Sequence, residues 1–475
     1  MRSWALGLLV LFCGATTLQA ATDKLFCYYN SVAEYRNVAI TDLKPKLCTH
    51  MVLQYTRLYP YGAVSTIDLP ASSISKFVNL GKAAGAKVLV SIGGPEQSSS
   101  VLSSLMSIVS LRKATVLSIA ALVNDYGLDG IDFYWRYPVL AGGNPEDREN
   151  FVTFLSQLKA AMSGKLIAIS VAPTKDFFLS SYDIAALSSY VDYVNVMAFD
   201  LRGYWDAKTG FNAPPYPSTA ESSLDEAQLN VDSILRGWIS AGLSSSKIIL
   251  GVSTEGHSYK LSSTFATGLK ARTIGPGNEG VYTGTLGVLN YLEVCELLKK
   301  GDWTVVWSNI QKAHYAYKGD QWVSYESLDS LGVKIALALQ YNVAGIGMWA
   351  VDGDDVKNVC GGGPFTLLDF VSIRVLAPRE TGEGTTAAWA SSPGTTIAKT
   401  TTTSTTTTTT TTAAPTGLPA VCPSSGFVRD PYDCAKFYRC IAAAKFVILS
   451  VQTCGTGLCF DTRYNVCNWK ANVPF

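Results

Sequence analysis

Asp129-Gly130-Ile131-Asp132-Phe133-Tyr134-Trp135-Arg136-Tyr137-Pro138 is the stretch on which the fold turns. Strand side chains alternate between faces, so Asp132, Tyr134 and Arg136 share one face and Ile131, Phe133 and Trp135 the other. A polar ladder of period two beside an apolar face is not a packing pattern. For Asp132 alone, the plainer reading is a buried carboxylate whose hydrogen bonds are met by its neighbours. Seven further apolar runs flank this one, at 25–30, 49–55, 87–94, 165–172, 191–199, 247–254 and 344–351. Longer amphipathic segments separate most of them, which predicts a parallel sheet. Eight such runs in one domain favour an α/β fold of the closed (β/α)8 TIM-barrel type over an open sheet. The interval between the last two runs exceeds a simple crossover and holds the turn-rich GVYTGTLGVLNYLEVC. It predicts an inserted small α+β lobe near residues 255–325. Barrels of this kind gather their chemistry at the C-terminal strand ends. Four ends stand out: Gly93 through Glu96, Asp132 through Arg136, Met197 through Asp200, and Trp349 through Asp355.

The chain has 475 residues, 48% hydrophobic and 16% charged, enough to bury a large core. Lys plus Arg total 38 and Asp plus Glu 37, a balance that argues against a nucleic acid partner. The three histidines, His50, His257 and His314, lie far apart without metal-ligand spacing, so no metal or cofactor is expected. Arg2, the apolar run Trp4–Cys13 and the small or polar residues ending at Ala20 read as a secretory signal peptide over residues 1–20. That run is too short for a bilayer, so no membrane span is expected and the protein reads as secreted and extracellular. Of eleven cysteines, ten remain once Cys13 leaves with the signal. Cys27, Cys48, Cys295 and Cys360 are spread through the large domain. Cys422, Cys434, Cys440, Cys454, Cys459 and Cys467 crowd the tail, which is too small to rest on a core alone. Between these regions Thr400–Thr412 is threonine apart from Ser404, an extended and O-glycosylated linker by composition. The expected layout is therefore signal peptide 1–20, barrel 21–376, linker 377–420 and small disulfide-rich β module 421–475.

The stretch 129–138 resembles the signature of glycoside hydrolase family 18, the chitinase family, which reads D-G-x-D-x-D-W-E-Y-P. Asp129, Gly130, Asp132, Trp135, Tyr137 and Pro138 match it. The resemblance covers about residues 22–376, through FCYYNSVAEYR, KLCTH, KVLVSIGG, YVNVMAFDLRGYWD and GIGMWAVDGDD. It implies disulfides Cys27–Cys48 and Cys295–Cys360. Active members protonate the glycosidic oxygen with the Glu of the motif, and the substrate's own N-acetyl group attacks the anomeric carbon. The middle Asp orients that group. The resemblance sets Arg136 at the Glu position and Tyr134 at the middle Asp position. An arginine, with a pKa above ~12, keeps its proton at any working pH. Its charge also has the wrong sign beside a developing oxocarbenium ion. Loss of a general acid alone costs about 10²–10⁴-fold in rate. Phe199 stands where active members have a tyrosine, Glu255 and His257 alter the seventh strand, Val32 and Pro95 replace cleft tryptophans, and Leu53 replaces a cleft tyrosine. Among the cleft positions the resemblance keeps Tyr28, Asp129, Asp132, Met197, Asp200 and Trp349. It makes Trp349 the floor on which a sugar ring stacks, where a core tryptophan at the barrel mouth is the plainer reading. Asp200 is expected to bind an amide or hydroxyl, or to pair with Arg136.

The tail spacing C-x11-C-x5-C-x13-C-x4-C-x7-C, with CAKFYRC and CNW, resembles the peritrophin-A type chitin-binding module, carbohydrate-binding family 14. The family's last cysteine is missing and Cys459 is additional; a Cys434–Cys459 pair is one of several open connectivities. Exposed aromatics stack on the apolar faces of pyranose rings. Tyr438 and Trp469 are the favoured candidates among Tyr432, Phe437, Tyr438, Tyr464 and Trp469. The expected function is a secreted chitin-binding, chitinase-like lectin without hydrolase activity, its partners chitin or N-acetylglucosamine oligomers. The alternatives are a weak or atypical chitinase with a relocated acid, for instance Glu96 or Asp176, and a protein-binding or signalling scaffold that ignores sugar.

Overall fold

The computed structural model describes residues 22–376, apart from 36, 37, 66, 68 and 219–222, and five strands between 426 and 469 as backbone alone. Eight parallel strands close into a barrel: β1 Lys24–Asn30, β2 His50–Thr56, β3 Lys87–Gly93, β4 Gly130–Tyr134, β5 Leu166–Val171, β6 Tyr193–Val196, β7 Ile248–Ser253 and β14 Gly345–Trp349. The eight runs expected from the sequence each hold one of these strands, and the closed topology is the (β/α)8 barrel. Between β7 and β14 lies an antiparallel sheet of β8 Glu255–Leu261, β9 Thr273–Pro276, β10 Val288–Asn290, β11 Thr304–Ser308, β12 Ala313–Lys318 and β13 Gln321–Tyr325. The helix Tyr291–Lys299 belongs to the same insertion, and Asn290 and Glu293 form its capping box.

The alternation along β4 is realised in packing. Ile131, Phe133 and Trp135 enter the layer between strands and helices, where Phe133 and Trp135 meet Phe151 of the helix Asp147–Ala161. That helix buries Phe151, Phe154, Leu155 and Leu158, one stripe at helical spacing. The barrel interior is a separate cluster of Phe26, Tyr28, Val52, Leu89, Ala168, Ile249 and Ala344. His50 lies in it, its ring stacked 4.1 Å from that of Phe26. Burial pushes the His50 imidazole down to about 4, so it is a neutral core residue at neutral pH. Gly93 ends β3 with a φ of 106°, and a Cβ there would lie 2.2 Å from the Tyr134 carbonyl oxygen. Only glycine allows β3 and β4 to approach so closely beneath the cleft.

Two expectations are corrected here. Asp129 does not face the cleft. It precedes β4 at the barrel's N-terminal end, where its carboxylate accepts the Val88 amide at 2.9 Å and the Lys87 ammonium at 3.2 Å. Leu53 is buried in the strand–helix layer, and Tyr55 is the β2 residue turned toward the cleft aromatics. The disulfides Cys27–Cys48 and Cys295–Cys360 are both formed. No single described helix is long and apolar enough to cross a membrane.

Compact units span residues 1–377 and 378–475. In the second, β15 Gly426–Arg429, β16 Lys436–Ile441 and β17 Val447–Thr453 form an antiparallel sheet, and β18 Leu458–Asp461 pairs with β19 Val466–Trp469. Cys440 and Tyr438 lie on β16, Cys459 on β18, and Cys467 and Trp469 on β19; their side chains are outside the description. The signal peptide, the linker, Cys422, Cys434 and Cys454 lie outside the described residues altogether.

Candidate functional site

The C-terminal end of β4 presents three side chains at three depths. Asp132 is deepest and fully buried; its carboxylate accepts from Ser91 Oγ at 2.8 Å and from Ser170 Oγ at 2.9 Å. Asn195 Nδ2 donates to the Tyr28 hydroxyl at 3.0 Å and to Ser170 Oγ at 3.3 Å, extending the polar network across β1, β5 and β6. Burial pushes the Asp132 carboxyl up to about 6, against the pull of the hydroxyls around it.

Tyr134 lies above Asp132 and is 4% exposed, packed with Met197, Phe199, Ala213, Tyr55 and Trp349. Its ring stands nearly perpendicular to that of Trp349, at 5.6 Å. Trp349, at the end of β14, also meets Tyr28 at 4.3 Å, Tyr55 at 6.0 Å and Phe199 at 6.0 Å. It remains half-exposed, a flat ring held by an aromatic box. Tyr28 and Met197 are buried at 0% and 3% exposure. They support this floor from beneath and offer almost no surface of their own.

Arg136 is outermost. It is exposed to solvent, yet the cleft walls surround it, with the Tyr137 ring 6.0 Å from its guanidinium carbon. Tyr134, Tyr137, Asp200 and Tyr55 all favour its charged form. The expected pair with Asp200 is not made. Asp200 instead accepts from His257 Nε2 at 2.8 Å, while its own amide donates to Asn212 Oδ1 at 2.7 Å. His257 is buried, and its Nδ1 faces the Gly287 carbonyl at 3.4 Å. With an acceptor at each ring nitrogen, the doubly protonated imidazolium fits this site. Burial opposes that charge, but the Asp200 hydrogen bond and charge outweigh it, so His257 titrates above its ordinary value. Enclosure would raise Asp200, but His257 and then Arg136 hold it below the usual carboxylate range.

Glu255 opens β8 on the same cleft wall. Enclosure first and the Asp200 charge second push its carboxyl up to about 7, with His257 opposing. The residue is exposed, so water screens part of that rise. The carboxylates whose charges reach Tyr55, Tyr134 and Arg136 are Asp132, Asp200 and Glu255. Glu96 and Asp176 are exposed on the segments after β3 and β5.

The reading of the sequence missed an aromatic pair beside this wall. Tyr204 and Trp205 are 36% and 40% exposed, and Trp205 meets the His257 ring edge-on at 4.8 Å. They lie on the loop after β6, eight and nine residues beyond Val196. A loop carries no periodicity, and the stretch YVNVMAFDLRGYWD that holds both is matched without a role for either.

Residues 24–354 match the profile of glycosyl hydrolases family 18, and residues 422–474 that of the chitin binding peritrophin-A domain. Chitotriosidase-1 of Mus musculus is 28% identical over 465 residues, which cover 94% of this chain and 95% of that protein. Probable chitinase 10 of Drosophila melanogaster is 33% identical over 371 residues, but the chain covers only 16% of its length. Among solved structures, the Ostrinia furnacalis group IV chitinase superposes with a TM-score of 0.72 at 30% identity, covering 75% of this chain and 100% of that one. Human YKL-39, described as a pseudo-chitinase with retained chitooligosaccharide binding, gives 0.70 at 26% identity, covering 74% and 99%.

Proposed function

The chain belongs to family 18 of the glycosyl hydrolases, and from that premise we propose that its barrel binds saccharides without cleaving them. One observation carries the reading: β4 delivers Tyr134 and Arg136 to the cleft, and its one carboxylate inside the barrel, Asp132, is sealed from solvent. A glycosidic oxygen in the cleft meets a guanidinium, which holds its proton and cannot act as the acid. The binding face survives the loss. The half-exposed Trp349 ring offers a platform for the apolar face of a pyranose, and Tyr204 and Trp205 offer a second aromatic surface. The likeness to YKL-39 agrees with this division between binding and cleavage. The peritrophin-A type module adds an independent chitin contact, for which Tyr438 and Trp469 are our candidates. The N-terminal run Trp4–Cys13 supports export, so the protein works outside the cell.

Incubation of the full chain with chitin hexamer tests the proposal. Mass spectrometry recovers intact hexamer, and calorimetry shows a component of the binding heat that Trp349→Ala removes. Release of shorter oligomers overturns it. The raised Glu255 carboxyl favours a second reading, an atypical hydrolase with its acid on the seventh-strand side. Turnover that Glu255→Gln abolishes decides for that reading.

A further inference from the structure

Arg136 is a cation without an ion-pair partner at the outer edge of the cleft. Among the described residues no carboxylate pairs with it, and Asp200, whose charge reaches it, spends Oδ1 on His257. The guanidinium is nonetheless accessible, beside the Tyr137 ring and one strand step beyond Tyr134. A planar fork of donors in this position matches the two oxygens of a carboxylate or two of a sulfate, and holds them by charge-assisted hydrogen bonds. A neutral sugar leaves that charge without a counter-ion. Resting on the reading of the cleft as a saccharide site, we propose that the barrel's ligand is an acidic saccharide. Arg136 receives its carboxylate or sulfate, and a neighbouring ring lies against Trp349.

The charges around Arg136 set the conditions for this binding. His257 and Asp200 cancel as a pair. Tyr28, Tyr55, Tyr134 and Tyr204 are held neutral, burial pushing each hydroxyl up. Tyr137 faces the guanidinium through its ring, and Asp352, farther along the wall, accepts the Asn30 amide at 2.9 Å. Asp132 and Glu255 shed negative charge as the pH falls through about 6 and about 7. The cleft therefore becomes more positive on acidification, and affinity for an anion rises with it.

The test is a calorimetric titration of the full chain with three probes. They are neutral chitin hexamer, the same hexamer sulfated on its primary hydroxyls, and a hexamer alternating N-acetylglucosamine with glucuronate. The barrel's contribution is the component that Trp349→Ala removes. At least one acidic probe binds about tenfold tighter than the neutral hexamer, the worth of one charge-assisted contact. The stronger acidic probe identifies sulfate or carboxylate as the group. In Arg136→Gln the preference collapses toward unity; in Arg136→Lys, which keeps the charge without the fork, part of it remains. Both substitutions lie at an exposed position, so the fold tolerates them. A Trp349-dependent neutral hexamer bound as tightly as the acidic probes overturns the proposal and leaves the saccharide site standing. A preference that survives Arg136→Gln also overturns it. If no probe gives a Trp349-dependent component, the saccharide reading of the cleft fails and this inference falls with it.

Discussion

At the scale of single residues, Asp132 is a carboxylate that its own strand seals from water. Ser91 and Ser170 donate to it, Tyr134 lies above it, and solvent does not reach it. Its folded carboxyl holds its proton to about 6, whereas an unfolded chain releases it near 4. The sign is the reverse of an ordinary paired carboxylate. Between those values the folded state binds more protons, so stability falls as the pH rises from about 4 to about 6. The size of that contribution is about 2–3 kcal/mol, from a shift of about two units. Asp132→Asn removes the dependence. Urea midpoints compared at about pH 4 and pH 7 fall in the wild type and stay closer together in the variant. An unchanged difference between the two pH values in Asp132→Asn counts against the assignment.

Elements that answer to a period were open to reading from the sequence. The eight barrel strands alternate or run continuously apolar, and the alternation of 131–136 gave the correct faces because the barrel wall forces it. Position along a strand was harder. Asp129 belongs to the family signature, yet it ties the N-terminal end of β4 to β3 at the face away from the cleft. Leu53 and Tyr55 share a parity, so alternation alone did not separate them; the local irregularity of β2 between Leu53 and Thr56 turns Tyr55 inward. The His257–Asp200 contact joins β8 to the segment after β6 across 57 residues, and no local pattern encodes such a pairing. It does make a prediction for these elements. His257 is raised, so its contribution is complete below about 6.5 and is lost as the pH climbs through its folded value. Asp200 is depressed, so its contribution is complete above about 4 and is lost as the pH falls through its folded value. The tether is therefore strongest between about 4 and 6.5. Asp200 is 43% exposed, which limits its worth to roughly 1 kcal/mol. His257→Gln lowers the urea midpoint at pH 5.5 and has a smaller effect at pH 9. Trp205 fluorescence changes with it, because that ring leans on the imidazole. Equal losses at both pH values point to packing alone.

At the scale of the whole chain, two regions matching sugar-handling families are separated by a threonine-rich stretch, and that arrangement has an energetic consequence. Chitin repeats the same unit, so a chain held by its tail module presents its barrel to further units at a high effective concentration. A weak cleft then contributes far more on the polymer than on a free oligomer, by about 10²–10⁴-fold when the linker spans neighbouring sites. Retention on insoluble chitin should therefore drop sharply in Trp349→Ala and in Trp469→Ala separately. Each single variant returns the chain to one-point attachment, and the double variant, with neither contact left, should lose retention altogether. Shortening Thr400–Thr412 should weaken the polymer interaction while leaving soluble hexamer binding as it was, because reach matters only when both regions engage. If Trp349→Ala leaves polymer retention at the wild-type level, the tail alone holds chitin. The barrel is then carried on the surface as a free head, and acidic saccharides in solution become its test.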